Sequence, residues 1–175
     1  LQEPALITAL EGDPNSSIAL PYLPGSVLRG AIIQLYIRQQ RETNKQYQFD
    51  DTNETIRALF FDGQTLFLNG YLFHEGQRSL PVPLSWQQKK GAADSEIYDF
   101  ACHDSSQDDP EADWQGVKKF PFCLVTEGAV QPVDPKKLTA VHIARNRHTS
   151  QNPDDEEQRA VYRYVSLAAG QTFSA

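Results

Sequence analysis

The sequence predicts an α+β fold. Three observations carry that expectation: one long helical pattern early in the chain, a second short one near residues 53–60, and a succession of apolar, aromatic-rich runs of strand length over the rest. Residues 1–10 read as the end of a strand, followed by a short loop, EGDPNSS (11–17), and a proline-rich approach to the first helix. Pro21 and Pro24 fix φ and hold Leu20 and Leu23 extended, so the helix cannot begin early. Gly25 then permits a tight turn, and Ser26 is a good N-cap. The helix is expected over residues 26–41. Leu28, Ile32, Leu35 and Tyr36 form one apolar stripe, with Val27 and Ala31 beside it, while Gln34, Arg38 and Arg41 face water. Gly30 inside this helix costs about 1 kcal/mol relative to alanine, which implies that another backbone comes close.

The polar run RETNKQYQ leads to the short helix, for which Asp51 or Thr52 is the expected cap. Asp62-Gly63 turns the chain. TLFLNGYLF (65–73) has the composition of a strand, and SLPVPLSW (79–86) can be extended but not central in a sheet, because its prolines cannot donate to a ladder. KKFPFCLV (118–125), Thr139 to Arg145 and Ala160 to Ser166 are further strands, and the final QTFSA begins another. The absence of methionine and the start at Leu1 lead to the expectation that the chain, residues 1–175, is a fragment of a larger protein.

The chain is long enough for one domain with a core, and its 39% apolar content supports folding. No run approaches the roughly 18 apolar residues of a membrane span, so a soluble, cytoplasmic protein with no membrane partner is expected. Cys102 and Cys123 have no CxxC spacing and no histidine at ligand distance, which leaves two ordinary reduced thiols and no cofactor or metal site. The net charge of −7 argues against a nucleic-acid partner until its distribution is considered. Eight of the chain's 23 acids lie between Gly91 and Val117, a segment without lysine or arginine, and the rest of the chain is close to neutral. Residues 91–117 are therefore expected to be an acidic, solvated loop insertion, or a docking surface for a basic partner.

Several phrases together carry a family resemblance. LPYLPGSVLRGA (20–31) resembles the helix-opening signature of the RAMP superfamily, the ferredoxin-like, RRM-related RNA-binding subunits of CRISPR effector complexes. IRALFFDGQTLFLNGYL (56–72), SLPVPLSWQQKK (79–90), HIARNRHT (142–149) and VYRYVSLAAGQTFSA (161–175) follow in an order that resembles the large RAMP subunit of subtype III-D effectors, the cyanobacterial-type Csx-ten group. The resemblance implies an N-terminal ferredoxin-like RAMP domain. It also implies CRISPR RNA as ligand and a place in an antiviral ribonucleoprotein. There the subunit would hold the five-prime handle of the guide, contact the large polymerase-like subunit, meet target RNA only indirectly, and bind RNA rather than cut it.

The candidate RNA-binding residues fall into two groups. Gly25, Ser26 and Arg29 sit at the expected helix start, where unpaired N–H groups and the positive end of the dipole make a phosphate seat. HIARNRH gathers His142, Arg145, Arg147 and His148, with Arg163 nearby if the flanking strands pair. Arg145 and Arg147 would then grip successive phosphates or flank a base. The bland alternative is a solvated hairpin whose arginines pair with Asp154, Asp155, Glu156 and Glu157. Tyr162 and Tyr164 alternate with Arg163 and either stack bases or fill the core. Lys89 and Lys90 form a weaker basic pair.

Asp13 is a candidate catalytic group, because the RAMP subunits that cleave target RNA carry an aspartate on the corresponding loop. Asp-Pro-Asn-Ser is equally ordinary turn chemistry. His142 or His148 could serve a guide-processing endonuclease as general acid or base, and a protein-only scaffold is the reading from a different class.

Overall fold

Pro24 holds an extended backbone, and the long helix begins immediately after it in a computed structural model of the protein. Residues 1–8, 16–91, 97–102, 113–118, 120–126, 129–145 and 159–175 are described, those at 143–145 and 159–161 by backbone alone. The chain is α+β. In order, its described elements are β1 (Ser16–Ile18), α1 (Gly25–Thr43), α2 (Glu54–Phe60), β2 (Tyr71–His74), β3 (Gln77–Arg78), β4 (Leu80–Pro81), β5 (Trp86–Lys89), β6 (Tyr98–Asp99), β7 (Trp114–Gly116), β8 (Phe122–Thr126), β9 (Ala129–Val133), β10 (Lys137–Arg145), β11 (Arg159–Leu167) and β12 (Thr172–Ser174).

The strands form small sheets in the orders β1-β11-β10, β12-β2-β3, β4-β8-β9 and β6-β5-β7. Leu72, Phe122, Leu124 and Val133 make the buried cluster between the second and third of these, with Tyr22, Tyr71 and Phe173 packed against it. β8 lies centrally and is covered on both faces, so Phe122, Cys123 and Leu124 are all buried. Its neighbours carry Pro81 and Pro132 and lie at the sheet edges, where a missing N–H costs no ladder bond. Arg78 clasps β2 and β12 together. Its guanidinium lies over the Tyr71 ring at 4.8 Å, and it donates to the carbonyls of Ser174 (2.9 Å) and Asn69 (2.8 Å).

The start of α1 differs from the sequence expectation in an instructive way. Ser26 is not the cap: Pro24 occupies that position and offers no side-chain bond, while the Asn69 carboxamide oxygen accepts the Gly25 N–H at 2.9 Å. An acceptor delivered from another segment lets the helix begin one residue sooner. Gly25 is helical rather than a turn. A Cβ there would stand 1.9 Å from the Phe67 carbonyl oxygen, so the glycine serves close backbone approach. Beside it, Leu23 and Gly70 exchange both backbone bonds, at 2.9 and 2.7 Å. Gly30 has no such neighbour among the described residues, none of which comes within 4 Å of its would-be Cβ.

The face that α1 packs is only partly the expected one: Leu28 and Tyr36 are half-buried, and Gln34, Arg38 and Arg41 are exposed as expected. Ile32 and Leu35 are exposed, at 44% and 54%, whereas Ile33, Tyr36, Ile37 and Gln40 are half-buried. Both sets have i, i+3, i+4 spacing, so periodicity alone does not choose between them. Tyr36 meets Phe60 of α2 edge-on at 5.6 Å and Tyr47 at 6.3 Å.

Other expectations shift by a few residues. The strand expected over 1–10 appears as isolated bridges at Ala5 and Thr8, and the first ladder strand is β1, built partly from the serines of the expected loop. Asn53, not Asp51 or Thr52, caps α2, accepting from the N–H groups of Thr55 and Ile56. The strand expected over 65–73 forms only from Tyr71, because residues 67–70 are committed to the start of α1.

Three substitutions test this joint by thermal unfolding. Gly25→Ala should destabilise by about 1–3 kcal/mol through overpacking, and Gly30→Ala should stabilise by up to about 1 kcal/mol. Asn69→Ala should cost about 1 kcal/mol as a lost helix cap; an unchanged midpoint would show that the bond to Gly25 contributes nothing.

Candidate nucleic-acid interface

β10 and β11 pair antiparallel over their full length, from Lys137 opposite Leu167 to Arg145 opposite Arg159. Their sequences, KLTAVHIAR and RAVYRYVSL, contain four cations and no acid. β1 lies parallel to β11 on its other side, with Ser16 opposite Arg163 and Ser17 opposite Tyr164. Directly paired residues share a sheet face. Arg163, Val165 and Leu167 therefore stand with Val141, Thr139 and Lys137, and Tyr162, Tyr164 and Ser166 with His142, Ala140 and Leu138.

The two faces have different characters. On the first, Leu167 and Val165 are buried, and further along the strand the face turns outward at Arg163 and Val141. Among the described residues Arg163 meets no carboxylate, while Lys137 has Asp134 at 3.6 Å. On the second face Tyr162 and Tyr164 are half-buried and His142 is exposed, its ring edge-on to Tyr164 at 5.4 Å. The hairpin expected from the sequence does bring Arg163 beside β10, yet it sends Arg163 and His142 to opposite faces. The register also sets Arg159 across from Arg145, a cation that strand-by-strand reading passes over and that hairpin pairing reveals. Asp13, Arg147 and His148, and the acids at 154–157, lie outside the described residues.

Gly25, Ser26 and Arg29 come together elsewhere, in a cleft of about 230 Å³ lined also by Phe60, Phe61, Gly63, Thr65, Leu66 and Phe67. The phosphate seat there is smaller than helix geometry alone suggests. Gly25 is buried with its N–H given to Asn69, and the N–H groups of Val27 and Leu28 both reach the Pro24 carbonyl. Ser26 keeps the one N–H of the first turn without a partner among the described residues. Arg29, half-buried, lies over the Phe61 ring at 5.9 Å.

The acidic insertion is in part a sheet rather than a loop. β6 and β7 flank β5, and Tyr98 and Phe100 pack edge-on to Trp114 at 5.1 and 5.0 Å. It takes up the Lys89–Lys90 pair: Lys90 meets Asp113 at 3.1 Å, and Lys89 lies over Trp114 at 5.4 Å. Bonds from the Ser85 hydroxyl and the Ala101 N–H hold the Asp99 carboxyl below its ordinary range. Burial pushes the Cys123 thiol up, away from reactivity. Among the described residues no group of three or more His, Cys, Asp or Glu side chains could hold a metal ion, and no helix is long and apolar enough to cross a membrane.

No protein-family model matches the chain, and no curated protein matches it in sequence.

Proposed function

We propose that the protein is an RNA-binding structural subunit of a type III-D CRISPR effector ribonucleoprotein. In this reading its N-terminal RAMP domain holds the repeat-derived five-prime handle of the guide and contacts the large polymerase-like subunit. The observation that carries the reading is the pair of hairpin strands β10 and β11, which hold four cations and no acid in a chain whose net charge is −7. Such a concentration opposes the chain's overall charge and suits a polyphosphate. The sheet order supports the ferredoxin-like part of the proposal. A strand followed by a helix, then a hairpin whose second strand lies parallel beside the first, is the opening half of a split βαβ arrangement. The elements from α2 to β9 would then be an elaboration between its helix and its hairpin.

Arg145, Arg159 and Arg163 are the proposed backbone contacts, and Ser26 with Arg29 a second, single-phosphate contact. A protein-only scaffold is the second reading, favoured by the exposed Ile32 and Leu35 on α1 and by Leu66 and Leu68, exposed at 77% and 54%. The two roles are compatible in one subunit. The cleavage alternative through Asp13 predicts loss of one cut in target RNA when Asp13→Ala is assembled into the complex; the binding role predicts no change in the cut pattern.

The decisive measurement is RNA affinity of the full-length protein as a function of salt. Arg145→Ala with Arg163→Ala should weaken binding and lower the log–log salt slope by roughly 0.7 for each single-strand phosphate that is no longer neutralised. A wild-type protein whose RNA binding is undetectable at low salt would leave the scaffold reading in place.

A further inference from the structure

We infer that the second face of the β10–β11 hairpin, presenting Tyr162, His142 and Tyr164, is a stacking platform for the bases of unpaired RNA. The inference rests on the RNA-binding reading and adds the form of RNA that is bound. Strand alternation separates the core from these rings. Val165 and Leu167 are buried, whereas Tyr162 and Tyr164 precede them in sequence but stand on the other face, half-buried beside the exposed His142. They are not among the residues of the main buried cluster. Tyr164 is flanked across the sheet by Ser17 on one side and Ala140 on the other, side chains too small to cover a phenol ring. His142 stands directly opposite Tyr162 and holds the Tyr164 ring edge-on at 5.4 Å, an arrangement that fixes ring orientation at little entropic cost.

The occupant follows from spacing and charge. Tyr162 and Tyr164 lie two strand positions apart, roughly 7 Å by the rise of a strand. An unpaired chain with splayed bases can span that step. A duplex keeps its bases stacked on one another at about 3.4 Å, with no ring face to offer. Neither strand carries a carboxylate that would repel a polyanion from this face, and the charge of Arg163, one strand thickness away, falls within a Debye length of about 8–10 Å. Aromatic stacking tolerates any base, so the platform grips without reading sequence.

The test compares three probes on the full-length protein: an unpaired oligouridylate, an abasic ribose-phosphate chain of the same length, and the oligouridylate annealed to its complement. The unpaired probe should bind at least about tenfold more tightly than the abasic one. Tyr162→Leu with Tyr164→Leu should abolish that difference while leaving the salt slope intact, and Tyr162→Phe with Tyr164→Phe, which keeps both rings, should preserve it. Equal, salt-dependent affinity for the unpaired and abasic probes would overturn the platform while leaving RNA binding standing. A preference for the annealed probe would overturn it too, and failure to bind any probe at low salt would remove both readings. If the leucine variant alone loses its far-ultraviolet circular dichroism, the phenylalanine variant and the wild-type probe comparison still decide.

Discussion

The backbone-to-backbone approach of Leu23–Gly25 to Phe67–Gly70 is the constraint on which the first half of the structure depends. It is maintained by two exchanged amide bonds, by the Asn69 side chain on the Gly25 N–H, and by the absence of a Cβ at Gly25. Each part needs the others. Without the glycine the carbonyl of Phe67 could not sit where a methyl group would be, and without that approach Asn69 would not reach the helix start. The same segment continues into β2, which Arg78 fastens to β12 and which contributes Leu72 and Tyr71 to the core. A local joint at one end of α1 is thus tied through a single strand to the main apolar cluster.

That joint fixes where α1 starts but leaves much of its apolar surface uncovered. The helix is apolar on two sides, and α2 occupies only one of them through Tyr36 and Phe60. A surface helix normally keeps one side polar. Ile32 and Leu35 are exposed, and Ile32 lines a cleft with the exposed Leu66 and Leu68; this apolar surface is costly in water and is what the scaffold reading rests on.

The parts of the fold legible in the sequence were those set by local chemistry. The two long hairpin strands, the prolines at sheet edges, the long helix and the short one all follow from alternation, periodicity and the missing N–H of proline. What sequence did not disclose was set by residues far apart in the chain. Ser26 has ideal cap chemistry, yet Asn69, 44 positions from Gly25, does the capping. Two stripes of α1 are equally spaced and share Tyr36, and what distinguishes them is that Ile33 and Ile37 are half-buried while Ile32 and Leu35 are exposed. Alternation did reveal that Arg163 lies between two tyrosines; the pairing register was needed to show that His142 sides with the tyrosines and Arg159 faces Arg145. The acidic segment misled for a different reason. Its composition is that of a solvated loop, but three aromatic rings within it are enough to organise β6 and β7 around β5.

The geography of charge explains how an acidic chain can present a basic surface. Three of its lysines are drawn into local tasks: Lys90 to Asp113, Lys137 to Asp134, and Lys89 to the face of Trp114. Much of the acid is confined to the insertion, whose described residues include β6 and β7, paired with β5. Arginine is left for the hairpin, and the choice of residue matters. Guanidinium groups bind phosphate through a planar fork and stack on rings, and they are more weakly hydrated than ammonium groups. Under the proposed function, a hairpin with arginine positions on one face and tyrosines on the other would combine charge attraction with base stacking in two strands. Net charge describes how the whole molecule repels a polyanion at distances beyond a Debye length; within that length the local cations decide. Under the proposed function, an acidic body with basic hairpin strands disfavours indiscriminate coating by nucleic acid and leaves those strands as a place for an RNA strand to dock.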